Sequence, residues 1–185
     1  MNRVPQGRHT GRLRYRPNNR QSATACWVPP LTEGKDFAVV QLSQLKWPNL
    51  QCIPSPRFRL FVAADVAALS AGVLSEFGYG ALTRGMVYFC VWGDGCERFH
   101  DVVDEILLDD ELGERRFCGQ GKNDVVMTTW HAKDSLERAL DFFASCAVPT
   151  DGLAANSEFR LVLCCGDQEW TRRAKEFLQF ATFCE

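Results

Sequence analysis

Four short apolar runs recur along the chain, and a stretch with helical periodicity follows each one. The runs are FRLFVAA (58–64), MVYFCVW (86–92), VVMTTW (125–130) and FRLVLCC (159–165). None alternates cleanly between apolar and polar residues, so each reads as a strand buried on both faces. The intervening stretches repeat apolar residues every three or four positions. Val66, Leu69, Val73, Leu74 and Phe77 share one helical face, with Gly78 placed to cap its C-terminus. Phe99, Val102, Val103, Ile106 and Leu107 share the next, with Asp101, Asp104, Glu105 and Asp109 toward water. Leu136, Leu140 and Phe143 make the third face, which ends before Pro149. Trp170, Ala174, Phe177, Leu178 and Ala181 make the fourth. Doubly buried strands alternating with amphipathic helices bury their surfaces by forming a parallel sheet covered by helices.

The expected fold is therefore α/β: a three-layer open sheet of four or five mainly parallel strands with helices on both faces. A flavodoxin/Rossmann-like arrangement, with the four units ordered 2-1-3-4, is the working expectation. Three regions precede or make up this fold. Residues 1–25 carry Arg, Asn, Gln, Pro and Gly without apolar periodicity and read as a disordered basic tail. Residues 26–56 read as an extended segment in which FAVVQL (37–42) could form an edge strand, given the prolines on either side. Residues 57–185 form the α/β domain proper.

Composition narrows the setting. At 46% hydrophobic residues over 185 positions, the chain can fill one substantial core. No apolar run approaches the ~18–20 residues of a membrane helix. The first twenty residues lack the apolar stretch of a secretory signal, so a soluble, cytoplasmic protein is expected. The nine cysteines are irregularly spaced and include no CxxC pair. Reduced thiols, mostly packed as small hydrophobes, fit that pattern better than a disulfide framework. Charge is segregated. Residues 1–25 hold six arginines and no acid, while residues 26–185 hold 15 basic and 23 acidic residues, a net of −8. An acidic body repels nucleic acid, so only the tail could attract phosphates, and weakly.

Parallel sheets place their ligands beyond the carboxyl ends of the strands, which makes the four strand-to-helix corners the places to look. The first corner offers Asp65. The second, WGDGCERFH, offers Trp92, Asp94, Cys96 and His100. The third offers Trp130, His131 and Asp134, and the fourth Cys165 and Asp167. No corner reads GxGxxG, GxxxxGK[ST] or GxSxG, which removes the dinucleotide, P-loop and nucleophile-elbow classes. Asp65, Asp94, Asp134 and Asp167 each precede a helix and fit an N-capping role. Cys96 and His100 lie four residues apart on one helix face. A thiol in a first helical turn beside an imidazole is how a nucleophilic thiolate is prepared, and His131 could join them. A zinc site drawn from Cys96, His100, His131 and Cys165 would need ligands from separate corners, and no metal or other cofactor is expected. Trp92 and Trp130 pair an apolar body with an N–H donor and are the strongest candidates for a recognition surface.

WGDGCERFHD (92–101) and VVMTTWHAKDSLERALDFF (125–143) together resemble the WGxxCxxxHD and TTWHxxxxLxxAL patterns of an uncharacterised bacterial domain-of-unknown-function family. The resemblance spans roughly residues 57–182. It implies a bacterial source and a shared fold, and supplies no catalytic residue or ligand.

Three functional readings remain. The first is a small non-catalytic interaction or regulatory module whose acidic surface receives a basic protein partner. The second is a hydrolase or transferase using Cys96, His100 and His131 at the carboxyl edge of the sheet. The third is weak nucleic-acid binding through residues 1–25.

Overall fold

The computed structural model describes residues 36–48, 53–112 and 124–181. The N-terminal basic segment therefore lies outside the described residues. Five strands form one all-parallel sheet: β1 (Phe37–Leu42), β2 (Phe58–Ala64), β3 (Met86–Trp92), β4 (Met127–His131) and β5 (Arg160–Cys165). Helices α1 (Ala71–Leu82), α2 (Cys96–Leu112), α3 (Leu136–Ser145) and α5 (Gln168–Ala181) follow β2, β3, β4 and, last, β5. A single turn, α4 (Asp151–Ala154), lies between α3 and β5. Helices α1 and α2 close one face over Leu60, Val62, Phe89 and Val91. Helices α3 and α5 close the other over Phe61, Tyr88, Cys90 and Val162. This is the three-layer α/β arrangement that the doubly apolar strands require.

The strand order is β1-β5-β2-β3-β4. Counted as the four strand–helix units, that is 4-1-2-3 and not the expected 2-1-3-4. The physical reason lies in β4. The order 2-1-3-4 would place MTTWH in the middle of the sheet, between β2 and β5. Instead each residue of β4 is at least partly exposed, whereas RLVLCC is buried through its four central residues. Two threonines and a histidine are cheaper at an edge, where water can still reach polar groups, than between two neighbours. FAVVQL takes the opposite edge as β1, paired with β5.

Several helix ends also differ from the reading of the sequence. Helix α1 starts at Ala71, and its N-cap is Ser70, whose side chain accepts the Val73 N–H. Val66 is buried in the loop before it, and Val73 is exposed. Gly78 is no C-cap; it lies buried inside α1, where a Cβ would come within 3.1 Å of Val103 and 3.3 Å of Ile106. Its missing side chain lets α1 and α2 pack closely. Ser135, not Asp134, caps α3 by accepting the Arg138 N–H. Asp167 does take the capping role, accepting the Glu169 N–H at 2.8 Å. Asp94 does not: its own backbone N–H donates to Asp65 Oδ1 at 2.9 Å. Gly93 beside it has φ +119°, and a Cβ there would fall 2.3 Å from the Ala64 carbonyl oxygen. The GDG corner is thus a tight splice between the ends of β2 and β3.

Candidate functional site

The residues singled out from the sequence separate into two places. One is the edge where α2 meets β4. The other is a crevice above β2 and β5.

At the α2–β4 edge, strand alternation divides the neighbours Trp130 and His131. Thr128 and Trp130 face α2; His131 faces α3. His100, from the second turn of α2, sits against both α2-facing residues. Its ring lies 4.4 Å from the Trp130 ring, centre to centre. Its Nε2 is 3.0 Å from Thr128 Oγ1 and 3.4 Å from Asp104 Oδ2, and its Nδ1 is 3.1 Å from Asp101 Oδ1. Thr128 Oγ1 donates its proton to Asp104 Oδ1 at 2.6 Å, so toward His100 it can only accept. Both ring nitrogens of His100 are thus occupied by groups other than Cys96. Trp130 remains 45% exposed, an indole held in place on one side and open on the other.

Cys96 is fully buried among the apolar residues beneath α1 and α2. Burial pushes its thiol up, against partial relief from backbone hydrogen bonds at His131, Glu97 and Cys96 itself. A buried thiol with a raised pKa is a poor source of thiolate. His131 lies on the other side of the sheet, 4.8 Å from the Phe142 ring, with Nδ1 2.8 Å from Asp134 Oδ2. Its Nε2 is buried without a hydrogen-bond partner among the described residues. Trp92 is on that side too. It donates Nε1–H to the Asp134 carbonyl at 2.8 Å and meets Trp170 edge to face at 5.3 Å. The structure therefore does not gather Cys96, His100 and His131 into one site. Among the described residues, no group of three or more His, Cys, Asp or Glu side chains is disposed to hold a metal.

The second place follows from the strand order. The chain leaves β2 toward β3 and β4, then crosses back to lay β5 on the opposite side of β2. Between β2 and β5 the direction of winding reverses, and in open α/β sheets that reversal opens a crevice at the carboxyl ends. Here it measures about 1460 Å³. Asp65, Cys165 and Asp167, three of the corner residues, line its head. The thiol of Cys165 is pushed up by burial. Trp47, Leu69, Phe77 and Trp170 supply apolar walls. Sequence reasoning passed over Trp47, since it lies between prolines in a segment with no periodicity. It also passed over Thr128, because a threonine in a strand is ordinary; only the fold brings it to His100. Trp170 was expected to pack, and it does, but it also borders the crevice.

No curated protein and no solved structure matches this chain. A family model described as a domain of unknown function, DUF7684, matches residues 37–181, from the first residue of β1 to the last of α5. The chain belongs to the DUF7684 family of domains of unknown function.

Proposed function

We propose that this domain is a small non-catalytic interaction module that docks a basic protein segment on its acidic α2–β4 edge. The observation that carries this reading is the exposed Trp130 indole, braced by His100 beside the exposed Asp101 and half-exposed Asp104 carboxylates. Within α2, Glu97, Asp101, Asp104, Glu105 and Asp109 face one base, Arg98, whose Nη1 donates to the Leu69 carbonyl. The last turn of the helix holds no basic residue, although its carbonyl end favours cations. An arginine laid over an indole gains a cation–π contact, and neighbouring carboxylates steer it there. The separation of Cys96, His100 and His131 gives the thiol-based enzyme reading no comparable support.

The test is a titration of the full chain with a ten-residue oligo-arginine peptide at low salt. Saturable binding is expected, weakened about tenfold by Trp130→Ala, as for an aromatic anchor at an interface. Glu176→Gln, on α5, should leave it unchanged. Equal binding by wild type and Trp130→Ala would overturn the reading.

A further inference from the structure

The acids of α2 form a stripe. Glu97, Asp101, Asp104, Glu105 and Asp109 recur at spacings of three and four residues, so they follow one another along a single helix face. All but Asp104 are exposed, and Asp104 is half-buried. Among the described residues, no lysine or arginine forms an ion pair with any of the five. Leu108 stands in the same stripe, 60% exposed, and the Trp130 indole borders it beside His100 and Asp104. The face is therefore acidic and apolar at once, which suits a segment that carries arginines among apolar residues.

The chain itself holds such a segment. Residues 1–25 contain six arginines and no acid, and three of the arginines alternate with apolar residues in Arg12-Leu13-Arg14-Tyr15-Arg16. Laid out extended, this stretch would put its three guanidinium groups on one side, about 6.6–6.8 Å apart. Successive turns of the acidic stripe come every ~5.4 Å, a mismatch that long arginine side chains absorb.

The sheet sets the distance to be covered. Phe37, Arg160, Arg59, Tyr88 and Met127 lie in one row across all five strands. Phe37, the first residue of β1, is thus level with the start of β4, four strand spacings or roughly 19 Å away. Helix α2 runs back against the strands, so its Asp109 end is at this same end of the sheet. Trp130 is three residues farther along β4, about 10 Å. Arg16 precedes Phe37 by 21 positions. A flexible linker of that length has an r.m.s. end-to-end distance of roughly 25 Å, close to the span required. Tethering is most effective at such a match, with effective concentrations on the order of millimolar.

Resting on the reading of the edge as a dock for basic segments, we propose that the stretch around Arg12, Arg14 and Arg16 docks on the α2–β4 edge of its own chain. A guanidinium lies over Trp130 and the others face the acidic stripe of α2. The segment then competes with any external basic partner. If it fills about nine edges in ten, it weakens that partner about tenfold, since only the free fraction binds.

The test compares the full chain with its Arg12→Gln, Arg14→Gln, Arg16→Gln triple variant. The indole N–H resonance of Trp130, assigned by its loss in Trp130→Phe, should differ between the two chains. Added salt should move the wild-type resonance toward the variant position. The oligo-arginine peptide should bind the variant about tenfold more tightly than the wild type. The same Trp130 resonance in both chains would overturn the proposal, whatever the peptide does. A difference that vanishes on dilution would assign the contact to a second copy and overturn docking within one chain. Equal peptide affinity in the two chains, with the loss in Trp130→Ala intact, would overturn this proposal and leave the edge as a dock for other segments. Failure of the peptide to bind either chain would remove both readings.

Discussion

The α2–β4 edge and the β2–β5 crevice use the same parts, tryptophans and aspartates, to opposite effect. At the edge, Asp101 and Asp104 surround a histidine and a threonine, and together these brace an indole that faces outward. In the crevice, Asp65 and Asp167 accept backbone N–H groups and tie down the loops at the ends of β2 and β5, while both residues line a concavity. One region presents a side chain to whatever approaches; the other presents a space. The contrast shows that an aspartate at a strand-to-helix corner takes its role from the partner the fold brings to it. Only Asp167 became the N-cap that all four corner aspartates resembled.

The two regions share a mechanical link, and breaking it should have the largest effect. Phe99 of α2 meets Phe77 of α1 at 5.7 Å and Phe89 of β3 at 5.1 Å, and it is fully buried. Phe99→Ala should cost about 3–5 kcal/mol, the usual loss for a buried phenylalanine. Denaturant unfolding measures it. If the crevice wall and the edge depend on this contact, protection from hydrogen exchange should fall in α1 and α2 together. A loss confined to α2 would show that the two regions are independent.

A smaller effect concerns the thiols under the α3–α5 face. Burial pushes Cys90 up to about 12 and Cys164 up to about 11. Both are protonated in the folded chain at neutral pH, and in the unfolded chain they titrate near the ordinary thiol value. Their folded values are raised, so the stability they carry is fully present below about pH 8.5–9. It is lost as pH rises toward 11–12, because the unfolded state then releases protons that the folded state retains. For each thiol the expected loss is about 1.4 kcal/mol per pH unit once the unfolded thiol has ionised and the folded one has not. Cys90→Ala with Cys164→Ala should flatten this alkaline limb in urea melts between pH 8 and 10.5. An equally steep limb in the double variant would assign it to other groups.

The smallest effect discriminates best between Asp65 and Asp94. Asp65→Ala should cost about 0.5–1.5 kcal/mol, the net worth of the bond it gives the Asp94 N–H at the splice between β2 and β3. Asp94→Ala should stay within ~0.5 kcal/mol, as for a surface side chain with no structural bond to lose. The reverse order would restore the N-cap role to Asp94. Thermal melts of the two variants decide it.

Much of the fold was legible because burial on both faces and helical periodicity are properties of contiguous residues. FRLFVAA and MVYFCVW could only be interior strands, and the face of α2 from Phe99 to Leu107 shows in its spacing. The candidate site was legible to a lesser degree. Asp65, Cys165 and Asp167 were identified by their place at strand ends. That they share one crevice depends on β5 lying beside β2, some hundred residues away in the chain. That the side chains of Cys96, His100 and His131 do not meet follows from a simple alternation. Trp130 and His131 are consecutive in an extended strand, so they point to opposite faces, and His100 found Thr128 and Trp130 instead.

By itself, the sequence determined which segments become strands, that the strands run parallel, and which corners gather at the carboxyl edge. These follow from side-chain patterning and from the geometry of a strand, a crossover and a second strand. Only the tertiary structure decided strand order, and with it the crevice. Patterning records whether a residue is buried but not which strand buries it. The return of β5 across β2 is a choice among non-local pairings. It is made by the cost of placing the threonines and histidine of β4 at the centre of the sheet, where β5 loses nothing by being buried.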